Sequence, residues 1–155
     1  MTLENEGALV TVHIREATAE DAEALAHLAT QLWYPSQPEQ IVRRLASLPP
    51  TSSRVFVAVA EGNVVGLVQV SVYSPFLMDD AAEIAALVVD EEWRGRGIGH
   101  ALVKAAETWA LENGCSTIYV RTNIIRERSG GFYRQIGFQQ VKTAHTFAKP
   151  LASEK

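Results

Sequence analysis

Three glycines at alternate positions, placed between an apolar run and a long helical pattern, constrain this chain more than any other feature. The run Ala82–Val89 has the length and the apolar side chains of a buried strand. The segment Gly97–Asn113 has apolar residues at helical spacing. Between them, Gly95, Gly97 and Gly99 allow positive φ angles and a close approach of the backbone to a ligand. The pattern predicts a strand, a tight turn and a helix in direct succession.

This turn has the chemistry of an anion-binding site. The unpaired N–H groups at the start of a helix, together with the helix dipole, favour negative charge. Arg94 and Arg96 add mobile positive charge. We therefore predict that the turn holds a diphosphate. It is not a P-loop, because no Gly-Lys-Ser/Thr triplet occurs, and the spacing Gly95-x-Gly97-x-Gly99 is wrong for a dinucleotide fingerprint.

Hydrophobic periodicity and turn residues divide the rest of the chain into further elements. The predicted strands are Val12–Arg15, Arg54–Ala60, Val64–Tyr73, Ala82–Val89, Thr117–Arg121 and one or two within Phe138–Lys149. The predicted helices are one that begins at Thr18, then Glu39–Leu48, Gly97–Asn113 and Arg126–Gln135. The order β-α-α-β-β-β-α-β-α-β(-β) describes one mixed α/β domain over residues 12–151, with tails at 1–11 and 152–155.

Composition narrows the function classes. The apolar fraction of 47% and charged fraction of 21% are those of an ordinary globular protein. A net charge of −4 without a basic cluster makes nucleic acid a poor partner. Cys115 is the single cysteine and is expected to be a small buried hydrophobe, and the four histidines are dispersed, so we expect no metal site. No signal-peptide or membrane-spanning pattern is present, and we expect a cytoplasmic protein.

The pattern Arg94-x-x-Gly97-x-Gly99 resembles the Arg/Gln-x-x-Gly-x-Gly/Ala signature of the GNAT superfamily of N-acetyltransferases. Upstream, Ala82–Asp90 resembles the fourth strand of that family, and Gly131–Phe138 resembles its Phe-Tyr-x-x-x-Gly-Phe element. The resemblance implies a GNAT-like fold with splayed central strands. It also implies an enzyme that transfers an acetyl group from acetyl-CoA to an amine. Many members are homodimers, so a homodimer is compatible with it.

The resemblance also implies a set of residues that bind acetyl-CoA. In the family the pantetheine arm lies between the fourth and fifth strands, and the diphosphate lies at the glycine turn. The implied binding residues are Leu87, Val88, Val89, Arg94, Gly95, Arg96, Gly97, Ile98, Gly99, Asn123 and Tyr133.

Two side chains are implied to act in catalysis. Tyr133 matches the family tyrosine that stands near the CoA sulfur and is the candidate acid for the departing thiolate; packing beside Phe132 is the alternative. Glu83 matches a position where some relatives have a catalytic glutamate and is the candidate base or an acceptor anchor. Its alternative is an exposed charge at a strand end. The N–H group of Val88 or Val89 is the candidate oxyanion donor.

The sequence indicates the residues that bind the acceptor less specifically than those that bind acetyl-CoA. Trp33 and Tyr34 lie in the loop that resembles the acceptor wall of the family and, with Glu83, are the candidate acceptor-binding residues; core packing of the two aromatics is the alternative. Asp79 and Asp80 are interpreted as a solvated turn rather than a cation site. The acceptor remains open among a small amine, an aminoglycoside-like molecule, an amino acid and a protein amine. The rival functions are a non-catalytic acyl-CoA-binding regulatory module and a generic nucleotide or phosphate binder.

Three residues that follow the predicted strand Thr117–Arg121 keep alternative interpretations. Asn123 binds the CoA arm or the acceptor, or it caps the helix that follows. Arg126 and Arg128 reach the phosphates of CoA, or they form a solvated helix start.

Overall fold

The computed structural model describes residues 2–5, 8–122 and 127–152. The chain divides into two units, Met1–Arg121 and Thr122–Lys155, and each is described by itself. The first unit contains the sheet and three of the helices described below. The second contains one helix and an extended segment without regular structure.

A six-stranded sheet in the order β1-β2-β3-β4-β5-β6 forms the first unit. Its strands are β1 Thr2–Asn5, β2 Ala8–Glu16, β3 Ser53–Ala60, β4 Asn63–Tyr73, β5 Ala81–Val89 and β6 Ile118–Val120. All neighbours are antiparallel except β5 and β6, which are parallel. The sequence did not predict β1, because the segment was interpreted as a tail. Backbone pairing with the start of β2 makes it a strand.

The four helices are α1 Ala22–Gln31, α2 Pro38–Ser47, α3 Ile98–Glu112 and α4 Glu127–Gln135. Single turns of 3-10 helix cover Ala19–Asp21 and Glu91–Trp93. The predicted mixed α/β class is confirmed, and most predicted elements lie within a few residues of their observed bounds. The observed ends of these elements differ from the predicted ones because the ends depend on capping geometry and tertiary contacts more than on periodicity.

The prediction of final strands within Phe138–Lys149 is wrong for this structure. Residues 138–152 have no regular secondary structure. The apolar residues Val141 and Phe147 stand alone among polar neighbours, and both are exposed. A strand needs a buried face or a pairing edge to be stable, and this segment lacks the alternation that would supply a face. The prediction rested on element order and not on periodicity.

Helices lie on both faces of the sheet. Val55 lines a cleft with α2, and the next residue, Phe56, lines a cleft with α3. Because neighbouring residues of a strand point to opposite faces, α2 and α3 pack on opposite sides. The largest fully buried side chains are Leu28, Ile98, Leu102, Val12, Val57, Val68, Val70 and Val103.

Gly66 of β4 sets how closely α3 approaches the sheet. A Cβ atom at Gly66 would lie 3.0 Å from the side chain of Leu102 and 3.2 Å from the carbonyl oxygen of Val88. Glycine therefore lets the helix pack directly on the backbone. This packing holds the start of α3 against the end of β5, where the candidate site lies.

The start of α1 is fixed by an ion pair. Arg15, near the end of β2, donates from both Nη atoms to Asp21, each at 2.9 Å. The backbone N–H of Thr18 donates to the same carboxylate at 2.8 Å, which completes a capping box at the start of the helical segment. The hydrogen bonds from Arg15 hold the pKa of Asp21 below its ordinary value, although its burial acts in the opposite direction. The helix thus begins at a defined point beside β2.

Candidate active site

The outer edge of β5 opens halfway along the strand. Its parallel pairing with β6 ends at Ile84 and Val120 within the described part of the chain, while its pairing with β4 continues to Val89. A register shift beside Gln69 leaves Ala85 as an extra residue at the same point. The expected parting of the central strands therefore occurs between Ile84 and Ala85.

Leu87, Val88 and Val89 lie on this open stretch. Val88 is buried and the other two are half-buried. Alternate residues of an antiparallel strand direct their N–H and C=O groups away from the paired neighbour. Such groups need a partner when they are covered. The edge is therefore suited to bind an extended chain that carries amide groups.

A tight turn connects β5 to α3. Asp90 begins it: its carboxylate accepts a hydrogen bond from the backbone N–H of Glu92 at 2.9 Å, and its own N–H donates to Val65 at 2.8 Å. Gly95 and Gly97 have φ angles of 78° and 83°. Side chains rarely adopt this left-handed conformation, so both glycines are required by the path of the backbone.

The first turn of α3 has no acid and no side-chain cap. Gly97 is the N-cap residue and cannot supply a side-chain oxygen. The first intrahelical bond runs from the N–H of Ala101 to the carbonyl oxygen of Gly97. The preceding N–H groups of Ile98, Gly99 and His100 therefore have no intrahelical acceptor. With the helix dipole behind them, these groups favour an anion.

Two arginines flank the turn. Arg94 is exposed and donates from Nε to the carbonyl oxygen of Val89 at 3.0 Å. Arg96 lies over the ring of Trp93, with its guanidinium carbon 4.6 Å from the ring centre. The two guanidinium groups thus add positive charge to the turn that precedes the open helix end.

Gln31, the last residue of α1, holds the start of this turn and was missed by the sequence analysis. Its Oε1 accepts a hydrogen bond from the backbone N–H of Glu91 at 3.0 Å, and its Nε2 donates to Asp90 at 3.4 Å. The ring of His27, one helical turn earlier, lies 3.5 Å from the same carboxylate. Residues 31 and 90 are far apart in sequence, so no local pattern could have revealed the contact.

Glu83 lies on β5 just before the strands part. It is half-buried and forms an ion pair of 2.9 Å with Arg121, the residue that follows β6. Arg121 also lies over the ring of Tyr73, at 5.7 Å. The register places Ser71 and Tyr119 beside Glu83 on the two neighbouring strands. The alternative of a free, exposed charge at a strand end is therefore wrong.

These parts fit coenzyme A. The open edge of β5 matches the amides of a pantetheine arm, and the acid-free helix end with its two left-handed glycines matches a diphosphate. An added Cβ at Gly95 would meet no atom within 4 Å, so the space above this part of the turn is open. Nine of the residues named from the sequence for this task lie in the first unit, from Leu87 to Gly99, whereas Asn123 lies outside the described residues and Tyr133 lies in the second unit.

Comparison with known proteins decides the family. The Acetyltransferase (GNAT) family matches residues 19–138. The chain belongs to the GNAT family. The aminoglycoside N(6')-acetyltransferase type 1 of Stenotrophomonas maltophilia is 27% identical over 89% of this chain and 93% of its own length.

Two solved GNAT-like structures share the fold. An aminoglycoside N-acetyltransferase in complex with CoA superposes with a TM-score of 0.80 over 90% of this chain and 95% of the other, at 18% identity. A protein from Bacillus halodurans described as a transcriptional regulator has a TM-score of 0.79 and 29% identity, over 90% of this chain and all of the other. This protein is therefore an N-acetyltransferase by family.

The candidate acceptor wall of this GNAT protein is a strained turn at the end of α1. Trp33 has a φ of 69°, in the left-handed region. Its N–H donates to the carbonyl of Thr30, and the N–H of Tyr34 donates to that of Ala29. This is the Schellman arrangement, with tryptophan where glycine is usual. Trp33 is 80% exposed and Tyr34 is 68% exposed, so the core-packing alternative is wrong.

Tyr133 lies on α4 in the second unit. Its ring makes edge contacts with Phe132 and Phe138, at centroid distances of 5.1 and 5.4 Å. Burial raises the pKa of Tyr133 to about 12. The phenol therefore carries its proton at neutral pH, which a proton donor requires. Packing beside Phe132 is observed, and the acid role of Tyr133 stays a prediction.

The structure also shows where the remaining aspartates, the cysteine and three of the histidines lie. Asp79 and Asp80 are exposed, which fits a solvated turn. Cys115 is buried, and burial raises the pKa of its thiol, as expected of a small hydrophobe. His13, His100 and His145 are exposed. Within residues 2–5, 8–122 and 127–152, no cluster of three or more His, Cys, Asp or Glu side chains is placed to hold a metal. No helix in that part of the chain is long and apolar enough to span a membrane.

Three predicted residues cannot be assessed. Asn123 and Arg126 lie outside the described residues, and so does the side chain of Arg128. Their roles toward CoA, the acceptor or a helix cap stay predictions.

Proposed function

We propose that this protein transfers an acetyl group from acetyl-CoA to a primary amine by direct attack in a ternary complex. The observation that carries the proposal is the open edge of β5 running directly into a helix end that has no cap and no acid. A site of this kind is matched to an amide-bearing arm that ends in a diphosphate.

In this proposal, backbone groups of Leu87 and Val89 bind the pantetheine amides. Those of Val88 face β4, because the N–H of Asp90 donates to Val65 and the direction of backbone groups alternates along the strand. The N–H groups from Arg94 to Gly99 surround the diphosphate. Of the two candidate oxyanion donors, Val88 and Val89, the N–H of Val89 faces the open edge and donates to the thioester oxygen as it becomes negative. These contacts place the thioester at the point where β5 and β6 part.

The transfer requires a neutral amine, because an ammonium of the lysine type has a pKa of about 10.4 and no free electron pair when protonated. We assign Glu83, directly or through a water molecule, to take that proton. The nitrogen then attacks the thioester carbon, a C–N bond forms and the C–S bond breaks. Of the two protons that the nitrogen loses, one passes by way of Glu83 to solvent. The other ends on the departing sulfur, by way of Tyr133.

The acceptor in this proposal is a small molecule that carries a primary amine. The relative from Stenotrophomonas maltophilia, which is named for an aminoglycoside, supports a small-molecule acceptor. The exposed pair Trp33 and Tyr34 offers aromatic faces, which bind cations and sugar rings. Glu83 provides the negative charge that an incoming ammonium meets.

A thiol-release assay with acetyl-CoA and a broad panel of amines tests the proposal. Turnover above the rate with water supports it. A binding-only GNAT-like regulator is the second candidate, favoured by the likeness to the protein described as a transcriptional regulator. That candidate requires acetyl-CoA binding by calorimetry without thiol release for any amine. Competition of ATP or NAD with CoA would instead indicate a general nucleotide site.

The role of Tyr133 is tested by Tyr133→Phe. Because the phenol acts on the leaving thiolate, we expect kcat to fall about 100-fold, within the usual range for general acid catalysis. The Kd for CoA, measured by calorimetry, should stay within about twofold. Phe132→Leu is the matched control, since it perturbs the same aromatic cluster and leaves the phenol in place. Full activity of Tyr133→Phe would remove Tyr133 from the acid role.

A further inference from the structure

The ion pair of Glu83 and Arg121 presents both charges at one place. The carboxylate oxygen Oε2 and the guanidinium Nη1 are 2.9 Å apart. Glu83 lies opposite Tyr119 in the parallel pairing, and Arg121 is the first residue beyond the end of β6. The pair therefore stands at the point where β5 and β6 separate, beside the position that the proposed function gives to the thioester.

The two partners differ in accessibility. The side chain of Arg121 is 69% exposed, whereas that of Glu83 is 22% exposed. A solvent molecule or ligand can thus reach the guanidinium without displacing protein. An ion pair with one partner this exposed contributes little to stability. The stability of the fold therefore does not account for an arginine at position 121.

Arg121 is also held in orientation. Its guanidinium carbon lies 5.7 Å from the centre of the Tyr73 ring, and Tyr73 comes from the end of β4. Contact with an aromatic face limits the freedom of a long side chain. A guanidinium group has five N–H donors in a fixed plane, and one carboxylate does not use all of them. Arg121 can therefore bind a second carboxylate while it remains near Glu83.

We infer that the acceptor is a zwitterionic amine, such as an α-amino acid, whose ammonium group binds Glu83 and whose carboxylate binds Arg121. This inference rests on the proposed function. An α-amino acid has its two charged groups on one carbon atom, a separation that matches two protein groups in direct contact. Glu83 takes the ammonium proton, the nitrogen attacks the thioester carbon, and the C–S bond breaks. The second proton lost by the nitrogen ends on the departing sulfur, and the carboxylate stays on Arg121 throughout.

The same geometry discriminates against other amines. An amine without a carboxylate leaves Arg121 paired with Glu83, so its ammonium must compete with the guanidinium for the carboxylate. A polycation adds repulsion from Arg121 at the reacting position. Specificity of this kind depends on the repulsive element as much as on the attractive one.

Matched pairs of acceptors test the inference. Each α-amino acid is compared with the amine that lacks only its carboxylate: L-alanine with ethylamine, and L-phenylalanine with phenethylamine. Neamine is the polycation probe. For the wild type, we expect kcat/KM to be at least about tenfold higher for the amino acid in each pair, the low end of what a hydrogen bond to a charged group contributes.

Arg121→Gln is the decisive variant. It should lower the ratio of kcat/KM between each amino acid and its decarboxylated amine about tenfold, mainly through a higher KM for the amino acid. Arg43→Gln, at an exposed position of α2, is the matched control and should change neither. CoA affinity by calorimetry verifies that the variant is folded. Thermal stabilisation of the CoA complex by L-phenylalanine, lost in Arg121→Gln, gives a readout independent of turnover.

The outcomes separate this inference from the proposed function. Equal or better turnover of the decarboxylated amines or of neamine, with no effect of Arg121→Gln on the ratio within a pair, overturns the zwitterion inference and leaves acetyl transfer standing. Absence of thiol release with every amine overturns the proposed function itself. The inference is established if the preference for the amino acid over its decarboxylated amine is present in the wild type and in Arg43→Gln and is lost only in Arg121→Gln.

Discussion

Two left-handed residues beside helix ends differ in what they make accessible. Gly97, before α3, has a φ of 83° and carries no side chain, so its turn presents backbone N–H groups. Trp33, after α1, has a φ of 69° and presents a large exposed ring. A left-handed conformation costs a residue with a Cβ atom about 1–2 kcal/mol, whereas glycine adopts it freely.

The contrast fits two different ligands. A diphosphate is the same in every reaction that uses CoA, and backbone groups suffice to bind it. An acceptor varies from protein to protein, and side chains must recognise it. Gln31 connects the two regions, since it ends α1 two residues before Trp33 and also binds the start of the glycine turn. The predictions below test this comparison from the largest expected effect to the smallest.

Gly97→Glu should abolish CoA binding. A side chain at this φ is strained, and a carboxylate would stand where the diphosphate is proposed to bind, so we expect the Kd measured by calorimetry to rise more than about 100-fold. Gly62→Glu is the matched control. Gly62 has a similar φ of 78° in the hairpin between β3 and β4, where an added side chain would meet open space. CoA binding by Gly97→Glu at the level of this control would show that the turn does not hold the cofactor.

Asp21→Asn should destabilise the protein by about 2 kcal/mol, because the change removes a charged hydrogen-bond partner of Arg15 at the start of α1. The pKa of Asp21 is lowered in the folded state, so its contribution is complete above its unfolded value of 3.8 and is lost as pH falls through the folded value. Urea unfolding from pH 7 to pH 2 measures the effect. The difference from the wild type should shrink in acid. Glu20→Gln, exposed and adjacent, is the control and should change the free energy of unfolding at pH 7 by less than about 0.5 kcal/mol.

Gln31→Met should raise the Kd for acetyl-CoA about fivefold, the equivalent of losing one hydrogen bond of about 1 kcal/mol. The side chain keeps its length, so α1 should remain folded. Because Gln31 positions the turn and touches no reacting atom, KM for acetyl-CoA should change more than kcat. Glu23→Met, exposed on the same helix, serves as the control. Unchanged affinity for acetyl-CoA in Gln31→Met would show that the end of α1 does not influence the glycine turn.

Trp33→Gly should raise the free energy of unfolding by about 0.5–1 kcal/mol, since glycine relieves the left-handed strain. The same change should raise KM for the acceptor, because the exposed ring is lost. Tyr34→Gly removes the neighbouring ring without relieving strain and should not increase stability. Thermal unfolding and acceptor kinetics measure both effects. A less stable Trp33→Gly would show that the indole contributes to packing and would weaken the comparison.

The cofactor region could be predicted in detail from the sequence. Residues 82–99 are consecutive, and their periodicity, glycines and arginines report local backbone chemistry directly. The observed bounds of β5 and α3 lie within one residue of the predicted ones. The strands predicted within Phe138–Lys149 failed because no periodic pattern supported them. The strand β1 was missed because its stability depends on pairing with β2.

The sequence by itself determined the mixed α/β order, the glycine turn and its anion chemistry, because these follow from neighbouring residues and from the conformational freedom of glycine. Only the tertiary structure decided that Glu83 pairs with Arg121, that Gln31 binds the glycine turn, and that Trp33 is displayed and not buried. Each of these contacts joins residues from separate elements, or depends on how a helix ends against its neighbours. Such contacts depend on strand register and helix packing, which one-dimensional patterns do not encode.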